Sequence, residues 1–260
     1  MNICFVGCGN IAQAIIKGLL NVRMESLQIC GVERSIKNQD WLKEKGLEVI
    51  ELETLAQRNF DLIILAVKPK DAINVSRDIE TRSPHTKIVT VVAGISANNY
   101  PQPQNVFRAM PNTATAFNKG TTAMYAQNPE CTEFKNAKLL FKEIGTVLEV
   151  QKESDIHTFT SIIGSGQAFL FKVLDVYLKE LAELMGDKEE AAETLKGFVS
   201  SLGDSFSKEP NFQSLIDQIK SPGGTTQAGL EFLDDKNIEL ILKGAFEAAK
   251  ARSIEISNEQ

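Results

Sequence analysis

Asn2-Ile3-Cys4-Phe5-Val6-Gly7-Cys8-Gly9-Asn10-Ile11-Ala12 is the stretch on which the reading of the whole chain turns. Residues 2–6 form a short apolar run rich in β-formers, which reads as a buried strand. The run breaks at the glycines, and Ile15, Ile16, Leu19 and Leu20 then recur at helical spacing. Strand, glycine turn and helix make the βαβ opening of a dinucleotide-binding domain. Gly7 permits the tight turn, Gly9 lets the backbone approach a pyrophosphate, and Ala12 lets helix and strand pack closely. From Asn10 and Ile11 onward, the helix start offers unpaired N–H groups and a positive dipole end to phosphates. The alternative is an ordinary strand-to-helix turn whose glycines serve the backbone only; its place directly after an N-terminal strand weighs against that.

A second apolar run, Leu27–Val32, reads as the next strand and ends at Glu33-Arg34-Ser35. Glu33 falls about 20 residues past the last small residue of the turn, where an acidic side chain holds the adenosine ribose and favours NAD. The adjacent Arg34 and Ser35 suit a 2′-phosphate instead and favour NADP. The two signals point to opposite cofactors. A helix around Trp41 and Leu42 and a short strand at 47–50 follow. The run 61–67 is apolar on both faces, as an interior strand of a parallel sheet must be. It stops at Lys68-Pro69, which places Lys68 at the carboxyl edge of the sheet where ligands of open α/β folds bind. Further strands are expected at 88–92, 105–110, 119–125 and 145–150, with helices at 71–79 and 131–143. Such alternation predicts a doubly wound, mostly parallel sheet.

After residue 152 the strand signals vanish and long helical periods take over, so the expected domains are 1–152 and 153–260. Gln167–Met185 carries Phe169, Val173, Leu174, Tyr177, Leu181 and Leu184 at helical spacing, and Gly186 is a suitable stop. Asp187 with Glu190 resembles a capping box for the next helix. Helices also fit 212–220, 227–233 and 238–256. Two glycine turns, Gly164-Ser165-Gly166 and Ser221-Pro222-Gly223-Gly224-Thr225-Thr226, each read as the start of a helix. Bare amides and small hydroxyls at such starts suit a carboxylate or phosphate, or they simply cap the helix.

Composition bounds the rest. With 43% hydrophobic and 24% charged residues this is an ordinary globular composition, and a net charge of −6 argues against a non-specific grip on nucleic acid or an anionic membrane. No apolar run approaches the roughly 18–20 residues that span a bilayer, and nothing in the opening residues reads as a signal peptide, so a cytoplasmic location is expected. Four cysteines without a Cys-x-x-Cys pair, and only two histidines, leave no metal site to expect. Cys4 and Cys30 fall in neighbouring strands, where thiols pack, and Cys8 fills space in the phosphate turn.

With both glycine turns in hand, the chain resembles the Δ1-pyrroline-5-carboxylate reductases end to end. The resemblance rests on Gly7-Cys8-Gly9-Asn10, Ala66-Val67-Lys68-Pro69, Arg108-Ala109-Met110-Pro111-Asn112, Gly164-Ser165-Gly166 and, most specifically, Ser221 to Thr226. It implies an N-terminal Rossmann domain, a C-terminal helical domain that dimerises, and a substrate site at the dimer interface. It also implies reduction of a cyclic C=N bond by NADPH, or NADH, to give L-proline. By the same resemblance the cofactor phosphates sit on Gly7 to Ile11, and Arg34 and Ser35 meet the adenosine ribose or its phosphate. Ala66 to Pro69 and Ala93 attend the nicotinamide side, and Asn112 is a further cofactor-binding position. The substrate carboxylate takes amides of Gly224, Thr225 and Thr226, with Gly166 and Ser221 in the same site. The Thr226 hydroxyl faces the ring nitrogen, and Glu209 matches an acidic position near it. The chain departs from the family pattern at Ile163, where a serine is usual, at Gln167, where a proline is usual, and at Glu53, where many members carry asparagine.

The implied chemistry asks for few protein groups. The ring nitrogen must be protonated for its carbon to accept hydride, so the protein's work is to hold two carbons in contact and stabilise a cation. Glu209 suits the second task, and Thr226 can donate or relay a proton. The runner-up is another reductase of the same two-domain build that acts on a different cyclic imine. A β-hydroxyacid dehydrogenase of that build is disfavoured, because Lys172 and Lys179 lie inside or late in the long helix and no Lys-x-x-x-Asn pattern is present. A nucleotide-binding sensor without turnover has only the altered 163–167 turn in its support.

Overall fold

A computed structural model describes residues 1–22, 24 and 26–258. The chain divides into two compact units, Met1–Gly164 with Ala248–Gln260, and Ser165–Glu247.

The first unit is built on an eight-stranded sheet: β1 (Asn2–Val6), β2 (Gln28–Val32), β3 (Glu48–Val49), β4 (Leu62–Leu65), β5 (Lys87–Thr90), β6 (Val106–Pro111), β7 (Gly120–Tyr125) and β8 (Gly145–Glu149). Their order is β3-β2-β1-β4-β5-β6-β7-β8, and every neighbouring pair is parallel except β6 with β7. The exception follows from chain length: residues 112–119 are too few for a crossover, so β7 must turn back beside β6. Helices α1 (Asn10–Val22), α2 (Ile36–Glu44), α3 (Pro69–Arg82) and α4 (Thr132–Lys142) complete the alternation. Strand order reverses between β1 and β4, which opens a crevice at their carboxyl ends.

Both faces of the sheet are buried. Ile3 and Phe5 of β1 share a core with Ile15, Ile16 and Leu19 of α1 and with Phe134 and Phe141 of α4. Cys4 and Val6 point the other way, into a core with Ile63, Leu65 and the α3 residues Ala72 and Ile79. Each large apolar side chain so buried stabilises the fold by about 1.5–3 kcal/mol. The strands at 62–65 and 87–90 end sooner than their apolar runs. Ala66 and Val91 still donate to Val6 and Leu65 at 2.8 and 3.0 Å, then the chain leaves the ladder.

Beyond β8 the chain is helical: α5 (Asp155–Phe159), a π-helical stretch Thr160–Ser165, α6 (Gly166–Met185), α7 (Lys188–Lys208), α8 (Phe212–Ile219), α9 (Thr225–Asp235) and α10 (Ile238–Asn258). The stop and start between α6 and α7 form as expected. Gly186 adopts the left-handed conformation at φ +68°, and the Asp187 carboxylate accepts the amides of Glu189 and Glu190 at 2.8 and 3.0 Å. Gly164-Ser165-Gly166 does not form a helix start. It lies inside one continuous helical run, Asp155–Met185, where π spacing carries the ladder through the glycines. Flanking helical turns override the weak local preference of Gly and Ser.

That run is long and apolar enough, by length and composition, to cross a membrane, although no uninterrupted apolar stretch of that size exists in the sequence; only 11% of its apolar window is buried. Within Ser165–Glu247, Gly166, Ala191 and Leu195 are the buried residues among the described helical positions.

Candidate functional site

The phosphate turn is cross-tied to the end of β2. Gly7, at φ +85°, donates to the Val32 carbonyl at 2.9 Å, and a Cβ built on it would stand 2.8 Å from the Ala66 carbonyl oxygen. Only glycine fits there. A Cβ on Gly9 would meet no atom within 4 Å. It would project into open space, as a backbone that must admit a pyrophosphate requires. The first α1 ladder bond runs from Gln13 to the Gly9 carbonyl at 2.9 Å, so the amides of Asn10, Ile11 and Ala12 precede any intrahelical acceptor. The backbone therefore fits a dinucleotide diphosphate.

Glu33 is turned inward. Its Oε2 accepts the Cys8 amide at 2.7 Å and the Asn38 side chain at 3.3 Å, and Oε1 accepts the Ser35 amide at 2.8 Å. Partial burial opposes its ionisation, but the bonds from Ser35, Cys8 and Asn38 outweigh burial and hold its pKa below the ordinary glutamate value. The carboxylate braces the turn against β2. Arg34, with its side chain 85% exposed, reaches Asp71 at only 3.5 Å. Ser35 is the N-cap of α2 without spending its hydroxyl on the helix.

A cleft of about 640 Å³ gathers Gly7, Cys8, Gly9, Glu33, Arg34, Ser35, Ala66, Val67 and Lys68 of the sequence-predicted set. Asn38, Glu51, Leu52, Lys70 and Asp71 also line it and were missed. Lys70 and Asp71 follow Pro69 directly in the first turn of α3, which places them at the carboxyl edge of the sheet. Asn10 and Ile11 open α1 beside this cleft, and Pro69 is the first residue of α3. Glu53, one of the departures from the family pattern, pairs with Arg82 at 3.3 Å and is not among the cleft-lining residues. Cys8 is fully buried, and burial first, then the neighbouring Glu33 charge, push its thiol up to about 12. It fills space.

Ala93 and Asn112 follow β5 and β6 and lie outside the residues lining the cleft. The Asn112 side-chain oxygen accepts the Thr121 amide at 3.0 Å and so fixes the start of β7. The loop carrying Ala93 is pinned by a buried pair that the sequence reading did not single out. Glu153 accepts the Ala97 amide at 2.6 Å, the Ser96 hydroxyl at 2.9 Å and Arg108 at 3.1 Å. The Arg108 side chain is only 2% exposed. The end of α10 returns to the same loop. Its Ser253 bonds His157 at 2.9 Å, and Ile256 sits where a Cβ on Gly94 would be, 2.4 Å away.

In the helical unit, Ser221-Pro222-Gly223-Gly224 forms a type II turn. Pro222 occupies its second position, Gly223 supplies φ +69°, and the Gly224 amide donates to Ser221 at 3.0 Å. Gln227 reaches back to accept the Gly223 amide at 2.9 Å. α9 then begins, and its first ladder bond runs from Ala228 to Gly224 at 3.2 Å. The amides of Thr225, Thr226 and Gln227 thus stand at a helix N-terminus ahead of that bond, while the Gly224 amide serves the turn. Glu209 caps α7 and accepts the Asn211 amide at 3.2 Å. Gly166 is buried and is the first residue of α6, continuing directly from the π-helical stretch before it.

Residues 153–256 match the family described as pyrroline-5-carboxylate reductase dimerisation, and residues 2–94 match that described as NADP oxidoreductase coenzyme F420-dependent. A pyrroline-5-carboxylate reductase from Staphylococcus haemolyticus is 32% identical over 275 aligned positions, covering 100% of this chain and 99% of its own. The structure of a pyrroline-5-carboxylate reductase from Coxiella burnetii superposes with a TM-score of 0.85 at 28% identity, over 98% of both chains. A Plasmodium falciparum pyrroline carboxylate reductase with NADP bound shares the fold, with a TM-score of 0.83 at 23% identity over 99% of this chain and 98% of that one.

Proposed function

The chain belongs to the pyrroline-5-carboxylate reductase family, and on that premise we propose how its residues divide the work of reducing Δ1-pyrroline-5-carboxylate to L-proline. When bound, NAD(P)H supplies the hydride that the imine carbon accepts. The Gly7–Ile11 turn and the start of α1 hold the pyrophosphate. Ala66 to Pro69 and Ala93 attend the nicotinamide end, and Asn112 is a further cofactor-binding position. Self-association follows from the dimerisation family that residues 153–256 match, and residues 153–260 act as the dimerisation and substrate domain.

The observation that carries the cofactor reading is the saturated carboxylate of Glu33. With three donors on its two oxygens it braces the pyrophosphate turn and has little left for ribose hydroxyls. That leaves Arg34 and the Ser35 hydroxyl to meet a 2′-phosphate, so the preferred cofactor is NADPH. A cytoplasmic location completes the reading, supported by four cysteines that are all free thiols.

On the substrate side, the amides of Thr225 and Thr226, with the Gly224 turn behind them, take the carboxylate of the ring. The Thr226 hydroxyl faces the ring nitrogen and holds or relays its proton. Glu209 stabilises the positive charge that makes the carbon electrophilic. Ser221 shapes the turn, and Gly166 lets the chain pass close to the ring.

Turnover of Δ1-pyrroline-5-carboxylate with NADPH and with NADH tests this division. Arg34→Ala should weaken NADPH about tenfold, the effect of losing one charge-assisted bond of roughly 1.5 kcal/mol, and leave NADH unchanged. Equal losses for both nucleotides would remove Arg34 from the 2′-phosphate.

A further inference from the structure

The hydride chemistry leaves the cysteines unused, and two of them stand side by side. Cys4 on β1 and Cys30 on β2 are register partners in neighbouring parallel strands. Their side chains enter the same buried cluster on one face of the sheet. Neighbouring strands lie about 4.8 Å apart, inside the range of roughly 4.4–6.8 Å that disulfides span between α-carbons.

The two sulfurs differ in access and in charge. Cys4 is closed to solvent, whereas Cys30 lines a cleft of about 310 Å³ at the amino-terminal edge of the sheet. That edge is the opposite end of the strands from the phosphate turn. Arg58 stands on the wall of this cleft, bonded twice to Glu48 at 2.6 Å. The Cys4 thiol donates to the Phe5 carbonyl at 3.9 Å and has Cys30 as its neighbour across the strands. That neighbouring sulfur, with burial, holds the Cys4 thiol far above the ordinary thiol range. The Cys4 thiol and the Arg58 charge lower Cys30, against its own burial and the Glu48 charge. A thiol on a cleft wall beside an arginine, with a second thiol in register behind it, is the arrangement of a peroxide-reactive pair.

We propose that Cys30 and Cys4 form a dithiol site that hydroperoxides oxidise to an intramolecular disulfide. The Cys30 thiolate attacks one peroxide oxygen, the O–O bond breaks, and the departing oxygen leaves as hydroxide or alkoxide and takes a proton. Cys30 is then a sulfenic acid. The Cys4 sulfur attacks the Cys30 sulfur, the S–O bond breaks, and the hydroxyl leaves as water with the Cys4 proton. Two electrons pass from the thiols to the peroxide, and a dithiol reductant reverses the change.

Wild-type protein treated with hydrogen peroxide, desalted, denatured and titrated should show two free thiols in place of four. A non-reduced peptide map should join Cys4 to Cys30, and dithiothreitol should restore all four. Cys131→Ser, which removes a partly exposed thiol outside the pair, should lose two thiols in the same way. In Cys4→Ser, dimedone should trap a sulfenic acid on Cys30; in Cys30→Ser it should trap none on Cys4. Four surviving thiols in the wild type, or a map joining other cysteines, overturns the proposal, and neither result depends on how a variant folds.

Discussion

The two units treat their apolar residues in opposite ways. In Met1–Gly164, side chains such as Phe5, Ile16, Ile64 and Phe141 are shut on both faces of the sheet. In Ser165–Glu247, Phe171, Leu184, Phe212 and Phe232 stand 61%, 82%, 66% and 61% exposed. The first unit has a core of its own. Among its described residues, the second leaves large apolar side chains of its helices exposed, as a sequence made for self-association requires. The same difference bears on Asp155–Met185, which has the composition of a membrane span: its apolar window is only 11% buried in one chain, and most of it lies in the stretch that matches the dimerisation family.

The comparison breaks most visibly at α6. Phe171→Asp removes about 1.5–3 kcal/mol of apolar burial per copy, twice over in a symmetric dimer, so self-association should weaken roughly 10²- to 10⁴-fold. Sedimentation across a concentration series measures this, and an unchanged dissociation constant would remove Phe171 from the interface. The counterpart in the first unit lies in the backbone. Gly9→Val should raise the NADPH dissociation constant about a hundredfold or more while the melting temperature stays put, because its side chain meets no protein atom. Gly7→Ala should instead cost about 1–3 kcal/mol of stability, since it combines a positive φ with a carbonyl at 2.8 Å. Thr226→Ala comes next: kcat should fall about ten- to a hundredfold with nucleotide affinity intact. Equal loss of nucleotide affinity would place the turn at the wrong ligand.

What could be read in advance was whatever the chain encodes locally. Gly7, Gly9 and Ala12 announce the phosphate turn within a few residues, and Gly186-Asp187 announces a helix end and the next start. Pro222-Gly223 likewise fixes its turn by its own dihedral preferences. What escaped depends on partners far apart in sequence. Spacing alone suggested a ribose ligand at Glu33, whereas its acceptor role toward the Cys8 amide joins residues 25 positions apart and left no local mark. The Arg108–Glu153 pair spans 45 positions and left no local mark. Gly164-Ser165-Gly166 differs for the converse reason: its glycines suggested a break, and the helical turns on both sides overrode that weak local preference.

The smallest effect separates the two readings of Glu33. Its folded pKa lies below the ordinary 4.5. The stability it contributes is therefore complete above about pH 4.5 and lost as pH falls through the lower, folded value. Glu33→Gln keeps the shape of the side chain and removes its charge, so the Cys8 and Ser35 amides lose part of their bond strength and the pyrophosphate turn loosens. NADPH and NADH should then weaken together, by about two- to tenfold, and the acid limb of the stability profile should flatten. A loss confined to NADH would mean that the carboxylate reaches the ribose after all, because only a cofactor bearing a 2′-hydroxyl has a group there for it to hold.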